Sequence, residues 1–396
     1  MGTLALFGGK PVRDSFLPYG HHWLDEDDMQ QVVQTLKSPV ITQGSVVEQF
    51  EEAVADYTGA RYAVAFSSGT AALHGACHAA GLENGDELLT SANTFAASAN
   101  CALYVGAQPV FADIDPRTYN IDPGGIENRL SERTRAIVPV DFSGQPADLD
   151  PIMKLAEKHE LVVIEDAAHA LGALYRGRKV GTLADMTMFS FHPVKLVTTG
   201  EGGMIVTDHR EWYEKLKSFR THGVSKEPSR MGRYEGPWYY EMNDLGYNYR
   251  MTDFQAALGV SQIKKIDRFL YLRNQWAQLY QQAFSGIDGI IPPYQPDDIR
   301  SGWHLYVIRL ELEKLKTGRK EIFEALRAEN IGVHVHYLPV YWHPYYEKLG
   351  YRRGLCPQAE AYYQTAITLP LFPKMTKSDV ETVVEAVKKV VRFFRK

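Results

Sequence analysis

The chain has 396 residues, 45% of them hydrophobic and 23% charged, with 43 Lys and Arg against 48 Asp and Glu for a formal net charge of −5. That composition excludes disordered, collagen-like and disulfide-scaffold classes, and the charge has the wrong sign for a protein that neutralises many nucleic-acid phosphates. At roughly 150 residues per domain the length allows two or three units, of which we expect one large and one smaller.

In chain order, the N-terminus has no basic stretch followed by a long apolar one, and no later apolar run approaches the ~18 residues that span a bilayer. A cytoplasmic protein with neither membrane nor nucleic-acid partners is expected. Strands are predicted at 62–66, 87–92 and 109–113, with a small-residue helix at 96–105 between the last two. A strand at 136–140 leads through a turn to Asp150, read as the cap of a helix whose first residue is Pro151 and which runs through 152–160. The apolar run 161–164 then stops at Glu165-Asp166. Two further strands flank a turn that carries Lys195 and Gly-Glu-Gly-Gly. This alternation is the pattern of a mostly parallel sheet with crossover helices, and ligands in such sheets collect where strands end.

Beyond residue 207 the alternation weakens. Residues 227–240 read as a loop rich in glycine, proline, arginine and aromatics, and a long helix is predicted from Thr252, with Asp253 in its first turn, towards Tyr280. The chain is therefore divided into a segment 1–265, holding the large sheet domain, and a small C-terminal domain 266–396. The second has predicted helices at 319–330 and 377–395 and strands at 304–312 and 333–337. Cys77, Cys101 and Cys356 are odd in number and widely spaced, which argues against disulfides and structural zinc.

Three segments carry chemistry. After the first strand, Ser67-Ser68-Gly69-Thr70 opens a helix; free N–H groups and a close-approach glycine make a phosphate seat, unless Ser68 is simply an N-cap. Asp166 and His169 flank Ala167-Ala168, leaving space for a planar group with Asp166 and His169 at its edge; the plainer reading is a capping Asp beside a satisfied histidine. No Gly-x-x-x-x-Gly-Lys-Ser/Thr motif supports nucleotide hydrolysis. Lys195, held between two strand ends, is constrained and partly desolvated, as a Schiff-base amine must be, although most lysines are solvated surface groups. Phosphate seat, ring-facing Asp and buried lysine, in that order, are the parts of a pyridoxal phosphate site.

Ser-Phe-His-Pro-Val-Lys195, the following Thr-Thr-Gly-Glu-Gly-Gly and the upstream Glu-Asp-Ala-Ala-His-Ala-Leu-Gly resemble the DegT/DnrJ/EryC1/StrS family of nucleotide-sugar aminotransferases. The likeness continues through Gly144-Gln145-Pro146-Ala147-Asp148, residues 246–253 and Leu369-Pro370-Leu371-Phe372-Pro373, and so covers nearly the whole chain. It implies the fold-type I architecture of pyridoxal-phosphate transferases, an α/β fold like that of aspartate aminotransferase with a large, mostly parallel sheet domain and a smaller C-terminal α+β domain. The loop segments at 41–44, 140–146, 236–242, 304–306 and 335–341 are most similar to the branch that makes UDP-4-amino-4,6-dideoxy-N-acetyl-β-L-altrosamine for pseudaminic acid.

The resemblance implies residue roles. Lys195 is the Schiff-base lysine and the acid and base of the 1,3-prototropic shift; Asp166 faces the pyridine nitrogen and His169 the ring hydroxyl, where many relatives carry Gln. Phe95 stacks on the ring, while Ser68, Gly69, Thr70 and Ser190 hold the phosphate. Asn248 comes from the second subunit of a homodimer with shared sites. The sugar-nucleotide side involves Tyr19, Pro39, Val40, Ile41, Thr42, Val335, His336, Tyr337 and Leu338. The implied reaction moves the amino group of L-glutamate to the C4 ketone of a UDP-4-keto-6-deoxy-N-acetylhexosamine. Perosamine-type or 4-amino-arabinose-type transferases, a sugar dehydrase and a pyridoxal-phosphate-binding regulator are the alternatives. One dehydrase branch has histidine at the lysine position, and no helix-turn-helix segment precedes the first strand. His21-His22, His334, His336 and His343 lack a completing carboxylate or cysteine, so pocket or core roles are expected for them and no metal. The basic C-terminal stretch reads as an amphipathic closing helix.

Overall fold

Seven strands build the central sheet of the computed structural model, which describes residues 3–227, 229 and 231–396. They are β1 (Tyr62–Phe66), β2 (Glu87–Ser91), β3 (Gln108–Ala112), β4 (Thr134–Val138), β5 (Val162–Asp166), β6 (Met186–Ser190) and β7 (Gly203–Thr207). Their order is β1-β7-β6-β5-β4-β2-β3. β2, β3, β4, β5 and β6 pair in parallel, and β7 runs antiparallel to both β6 and β1. The ends of β1, β5 and β6 therefore point the same way. Val64, Phe66, Ile164, Met186, Met188 and Ile205 pack on one face and Ala63, Ala65, Val163, Phe189, Met204 and Val206 on the other, the period of two that strands impose. Both faces are buried, as parallel sheets require.

On the first face lie α3 (Gly69–Ala79) and α4 (Ala97–Tyr104), preceded in the chain by α1 (Glu26–Leu36) and α2 (Ser45–Thr58). α3 is buried over most of its length, and its small residues permit that: a Cβ on Gly75 would stand 2.9 Å from the Phe66 ring. α5 (Leu149–His159) begins earlier than predicted. Asp150 lies inside its first turn and caps nothing; it pairs with Arg176 at 2.5 Å and Arg178 at 2.7 Å, which hold its carboxyl below the usual range.

Among the other helices are α6 (Arg210–Phe219), α7 (Asp253–Ile263), α8 (Ile266–Phe284), α9 (Arg319–Ala328) and α10 (Lys377–Phe394). The single helix expected from Thr252 is thus two, with Thr252 forming a capping box with Gln255 at the start of α7. The break falls at Lys264-Lys265, where Lys265 turns to the carboxylates of Asp25 and Asp28 at the start of α1. Of the loop predicted at 227–240, Pro228 and Arg230 lie outside the described residues.

A second sheet of three strands, β8 (Ile290–Ile291), β9 (Tyr306–Leu310) and β10 (Ala366–Leu369), packs with α8, α9 and α10 around Tyr280, Ile308, Leu326, Ile367 and Val387. The strand predicted at 333–337 is not formed; the segment meets the outer edge of β10 at one residue only, an isolated antiparallel bridge between His334 and Thr368. Leu4 and Leu17 are buried in this second cluster, so the N-terminal segment departs from the division expected at residue 265. The Glu329 carboxylate fixes it, accepting from Ala5 N and Val12 N and pairing with Lys389.

Candidate active site

Where β1, β5 and β6 end, a cavity of about 660 Å³ opens between the large sheet and residues 334–338. Its lining includes Tyr19, Ser68, Gly69, Thr70, Phe95, Asp166, His169, Ser190, Lys195, Val335, His336, Tyr337 and Leu338. These are most of the residues marked in the sequence, brought together from positions that span the chain.

The floor is the start of α3. Ser68 Oγ accepts from Ala71 N at 3.1 Å, so Ser68 is an N-cap and a cavity residue at once. Beside it, a Cβ on Gly69 would meet Met188 Sδ and Ser190 Cβ at 3.3 Å, and one on Gly203 would stand 2.4 Å from Ser68 O. The two glycines let the β1–α3 turn lie directly on β6 and β7. Ser68, Thr70, Ser190 and the positive end of the α3 dipole thereby face one spot, an arrangement suited to a phosphate.

Asp166, the last residue of β5, is buried. Its Oδ2 accepts from Ser98 Oγ at 2.5 Å and its Oδ1 from Ala168 N at 3.2 Å. Burial pushes this carboxyl up; the two hydrogen bonds and the charge of Lys195 oppose the shift. Lys195 opens onto the cavity but is otherwise enclosed by protein, and that desolvation lowers its ammonium to about 8, against the pull of Asp166. An amine so placed is free far more often at neutral pH than a surface lysine.

His169 Nδ1 accepts from Ser143 N at 3.2 Å, so the neutral ring carries its proton on Nε2, which lies 3.4 Å from Tyr337 Oη. Burial and the neighbouring Lys195 hold His169 well below the ordinary imidazole range. The His304 ring lies 4.3 Å from it, tilted, and His336, bonded to Thr368 Oγ1 at 2.7 Å, is pushed by burial down to about 3. His169, His304 and His336 are therefore neutral.

Five marked residues lie elsewhere. Asn248 bridges Thr221 and does not line the cavity of its own chain. Pro39, Val40, Ile41 and Thr42 do not line the cavity of their own chain, contrary to their expected place on its sugar side. Thr42 bridges Thr252, while Val40 and Ile41 are 48% and 45% exposed. The ladder to Thr252 ties this segment to the start of α7 and keeps it from the cavity.

Residues 22–388 match the DegT/DnrJ/EryC1/StrS aminotransferase family. The chain belongs to that family. It is 44% identical over 96% of its length to the spore coat polysaccharide biosynthesis protein SpsC of Bacillus subtilis, covering 98% of that protein. It is 39% identical over 93% of its length to the UDP-4-amino-4,6-dideoxy-N-acetyl-beta-L-altrosamine transaminase of Campylobacter jejuni, covering 95% of it. The solved structure of Helicobacter pylori PseC, an aminotransferase involved in the biosynthesis of pseudoaminic acid, superposes with a TM-score of 0.90 at 34% identity, over 96% of this chain and all of that one.

As a DegT/DnrJ/EryC1/StrS aminotransferase, the protein is a pyridoxal-phosphate-dependent nucleotide-sugar aminotransferase of the fold-type I class. Its own residues fit that cofactor: neutral donors at a helix start for the phosphate, a buried carboxylate with two hydrogen bonds, and a desolvated amine opposite. Sequence reasoning missed Ser98, which shares the short segment with Phe95, and His304. Ser98 sits one helical turn after Phe95, so it faces the end of β5 once α4 is laid on the sheet. Nothing local in the sequence marks His304, whose place depends on the second sheet.

Proposed function

We propose that the enzyme moves the amino group of L-glutamate to the C4 ketone of UDP-2-acetamido-2,6-dideoxy-β-L-arabino-hexos-4-ulose, giving UDP-4-amino-4,6-dideoxy-N-acetyl-β-L-altrosamine and 2-oxoglutarate. The observation that carries the chemistry is the Lys195 amine facing Asp166 in one enclosed cavity. The choice of sugar is supported by the 39% identity with the Campylobacter transaminase and the likeness to PseC.

In this reading, bound pyridoxal phosphate supplies the reactive carbonyl and an electron-withdrawing ring. Asp166 holds a proton on the pyridine nitrogen, and the bonds from Ser98 and Ala168 keep its carboxylate aimed there. His169 donates Nε2–H to the ring hydroxyl, and Phe95 covers the ring face. Ser68, Thr70 and Ser190 donate to the phosphate beside Gly69. The free amine of Lys195, beside the cofactor, would take a proton from the carbon bearing the substrate's amine and return it two atoms away. Among the described residues no arginine lines the cavity; in this reading phosphate and sugar recognition there rests on neutral donors, among them Tyr19, His336 and Tyr337 beside Val335 and Leu338.

The same reading makes the enzyme a homodimer in which Asn248, with residues 39–42, completes the partner's site. The support is that these segments lie outside their own cavity and carry exposed apolar side chains, Val40 and Ile41 on one and Leu245 just before the other. The cytoplasm is the compartment proposed, in keeping with three free cysteines and with the finding that no helix among the described residues is long and apolar enough to cross a membrane.

The test is a panel of UDP- and dTDP-linked 4-keto sugars offered to the purified holoenzyme with glutamate, reading amino sugar by mass spectrometry. The UDP-N-acetyl substrate should give the highest kcat/KM. A dTDP sugar, or one without the acetamido group, turned over tenfold faster would replace it with the second reading, a 4-aminotransferase of another polysaccharide route, which the 44% identity with SpsC favours.

A further inference from the structure

Behind Asp166 lie two acids that the chemistry above does not use. Asp141, in the loop after β4, and Glu165, on β5, are both fully buried. One oxygen of each is satisfied: Ala147 N donates to Asp141 Oδ1 at 2.8 Å, and Thr187 Oγ1 to Glu165 Oε2 at 2.8 Å. The other oxygens, Asp141 Oδ2 and Glu165 Oε1, have no donor, although the two side chains are within hydrogen-bonding reach of each other. Two ionised carboxylates cannot bond to one another, and two facing buried acceptors without a donor are strongly disfavoured. What the geometry lacks is one proton.

We propose that Asp141 and Glu165 share a single proton and together act as a positioning pair for Asp166 and His169. The pair ties the loop 139–147 to the end of β5, and that loop reaches Asp166, His169 and the segment 302–305. Asp141 N donates to Asp166 O, and Asp166 N to Pro139 O. Ser143 N donates to His169 Nδ1 and so sets its tautomer. Gly302 N and Leu305 N donate to Gly144 O and Ser143 O, on either side of His304. Gly144 has φ +99 and a Cβ there would lie 2.8 Å from Trp303 N, so the loop cannot be replaced by an ordinary turn. Half-protonated, the pair keeps one negative charge behind Asp166, which favours a proton on any base that Asp166 faces. The ionisable groups acting on the pair are its own two members and Asp166; Asp166 in turn faces Lys195. Burial raises both carboxyls, Glu165 to about 7.

The proton-sharing half stands on the fold alone; the positioning half rests on the function proposed above. Folding takes up about one proton at the pair, because both acids ionise in the unfolded chain above the ordinary carboxylate range. Stability from the pair is therefore full only below about pH 4, where the unfolded acids are still protonated, and declines as pH rises from there through about 7. Glu165→Gln and Asp141→Asn each supply an amide donor in place of the proton and keep one charge. Between pH 5 and 7.5 the wild-type melting midpoint should fall relative to either variant by on the order of 5 °C. Parallel curves would overturn the shared proton. For positioning, Asp141→Ala should lower kcat about tenfold and move the pH midpoint of the cofactor absorption band, with Asp141→Asn restoring both. If the alanine variant does not fold, the double variant Asp141→Asn/Glu165→Gln, which removes the charge, should move the midpoint where each single variant does not. A midpoint and kcat unmoved in all of them would overturn the positioning role. A wild-type protein that shows no cofactor absorption would instead sink the pyridoxal phosphate reading, while the melting curves still decide the pair.

Discussion

Two groups of residues marked for the site behave differently in space. Ser68, Asp166, Ser190 and Lys195 follow strand ends and converge on one cavity of one chain, whereas Asn248 and residues 39–42 sit on edge segments that face away from it. The ladder hydrogen bonds of β1, β5 and β6 fix where the first group must go, since three strands that end on the same side deliver their next residues to the same place. The second group is fixed just as firmly, by bridges from Thr42 to Thr252 and from Thr221 to Asn248, but to a surface. One chain holds the reacting groups, and the edge segments are the part that the proposed second copy would use.

The largest effect that tests this division is at Lys195. Lys195→Ala should fold normally, since the side chain opens on a cavity, and lose about a thousandfold or more in turnover, together with the visible cofactor band after gel filtration. Turnover within tenfold of wild type would remove Lys195 from the chemistry. The edge group is tested by mixing. If Asn248 serves the partner's site, Lys195→Ala and Asn248→Ala chains, each inactive alone, form hybrids with one intact site of two. With random pairing that restores about a quarter of wild-type activity. Recovery of none, with mixed dimers present by native mass spectrometry, would return Asn248 to a structural role in its own chain.

How much of this was legible in the sequence follows the same division. The strands at 62–66 and 87–91 and the stop at Asp166 were readable because a parallel strand buried on both faces is a short apolar run with polar groups at its end. The misreadings are positions where tertiary contacts decide. Asp150 looked like a cap, yet Arg176 and Arg178 draw its carboxylate outwards while the helix starts at Leu149. Residues 333–337 have strand composition but pair with the edge of β10 at a single residue, His334. The helix from Thr252 breaks where Lys265 meets two carboxylates more than two hundred residues away. The proton-sharing acids were invisible for a like reason: only the parallel register of β4, β5 and β6 sets Asp141 beside Glu165.

The smallest expected effect separates two donors within the cavity. His169 and Tyr337 both offer a proton towards the position proposed for the ring hydroxyl, and they lie 3.4 Å apart, a long contact between Nε2 and Oη. Burial drives the Tyr337 hydroxyl upwards, so it stays neutral, and its backbone is held independently by Asn93 Oδ1, which accepts from Tyr337 N at 3.3 Å. Tyr337→Phe therefore removes a weak bond and leaves the ring in place. His169, anchored from behind by Ser143 N, keeps its Nε2–H pointing into the cavity. Turnover should fall by no more than about threefold, the size of one poorly aligned neutral hydrogen bond. A hundredfold loss, with an unchanged melting temperature, would make the Tyr337 hydroxyl the group that meets the cofactor ring and leave His169 as the residue that aims it.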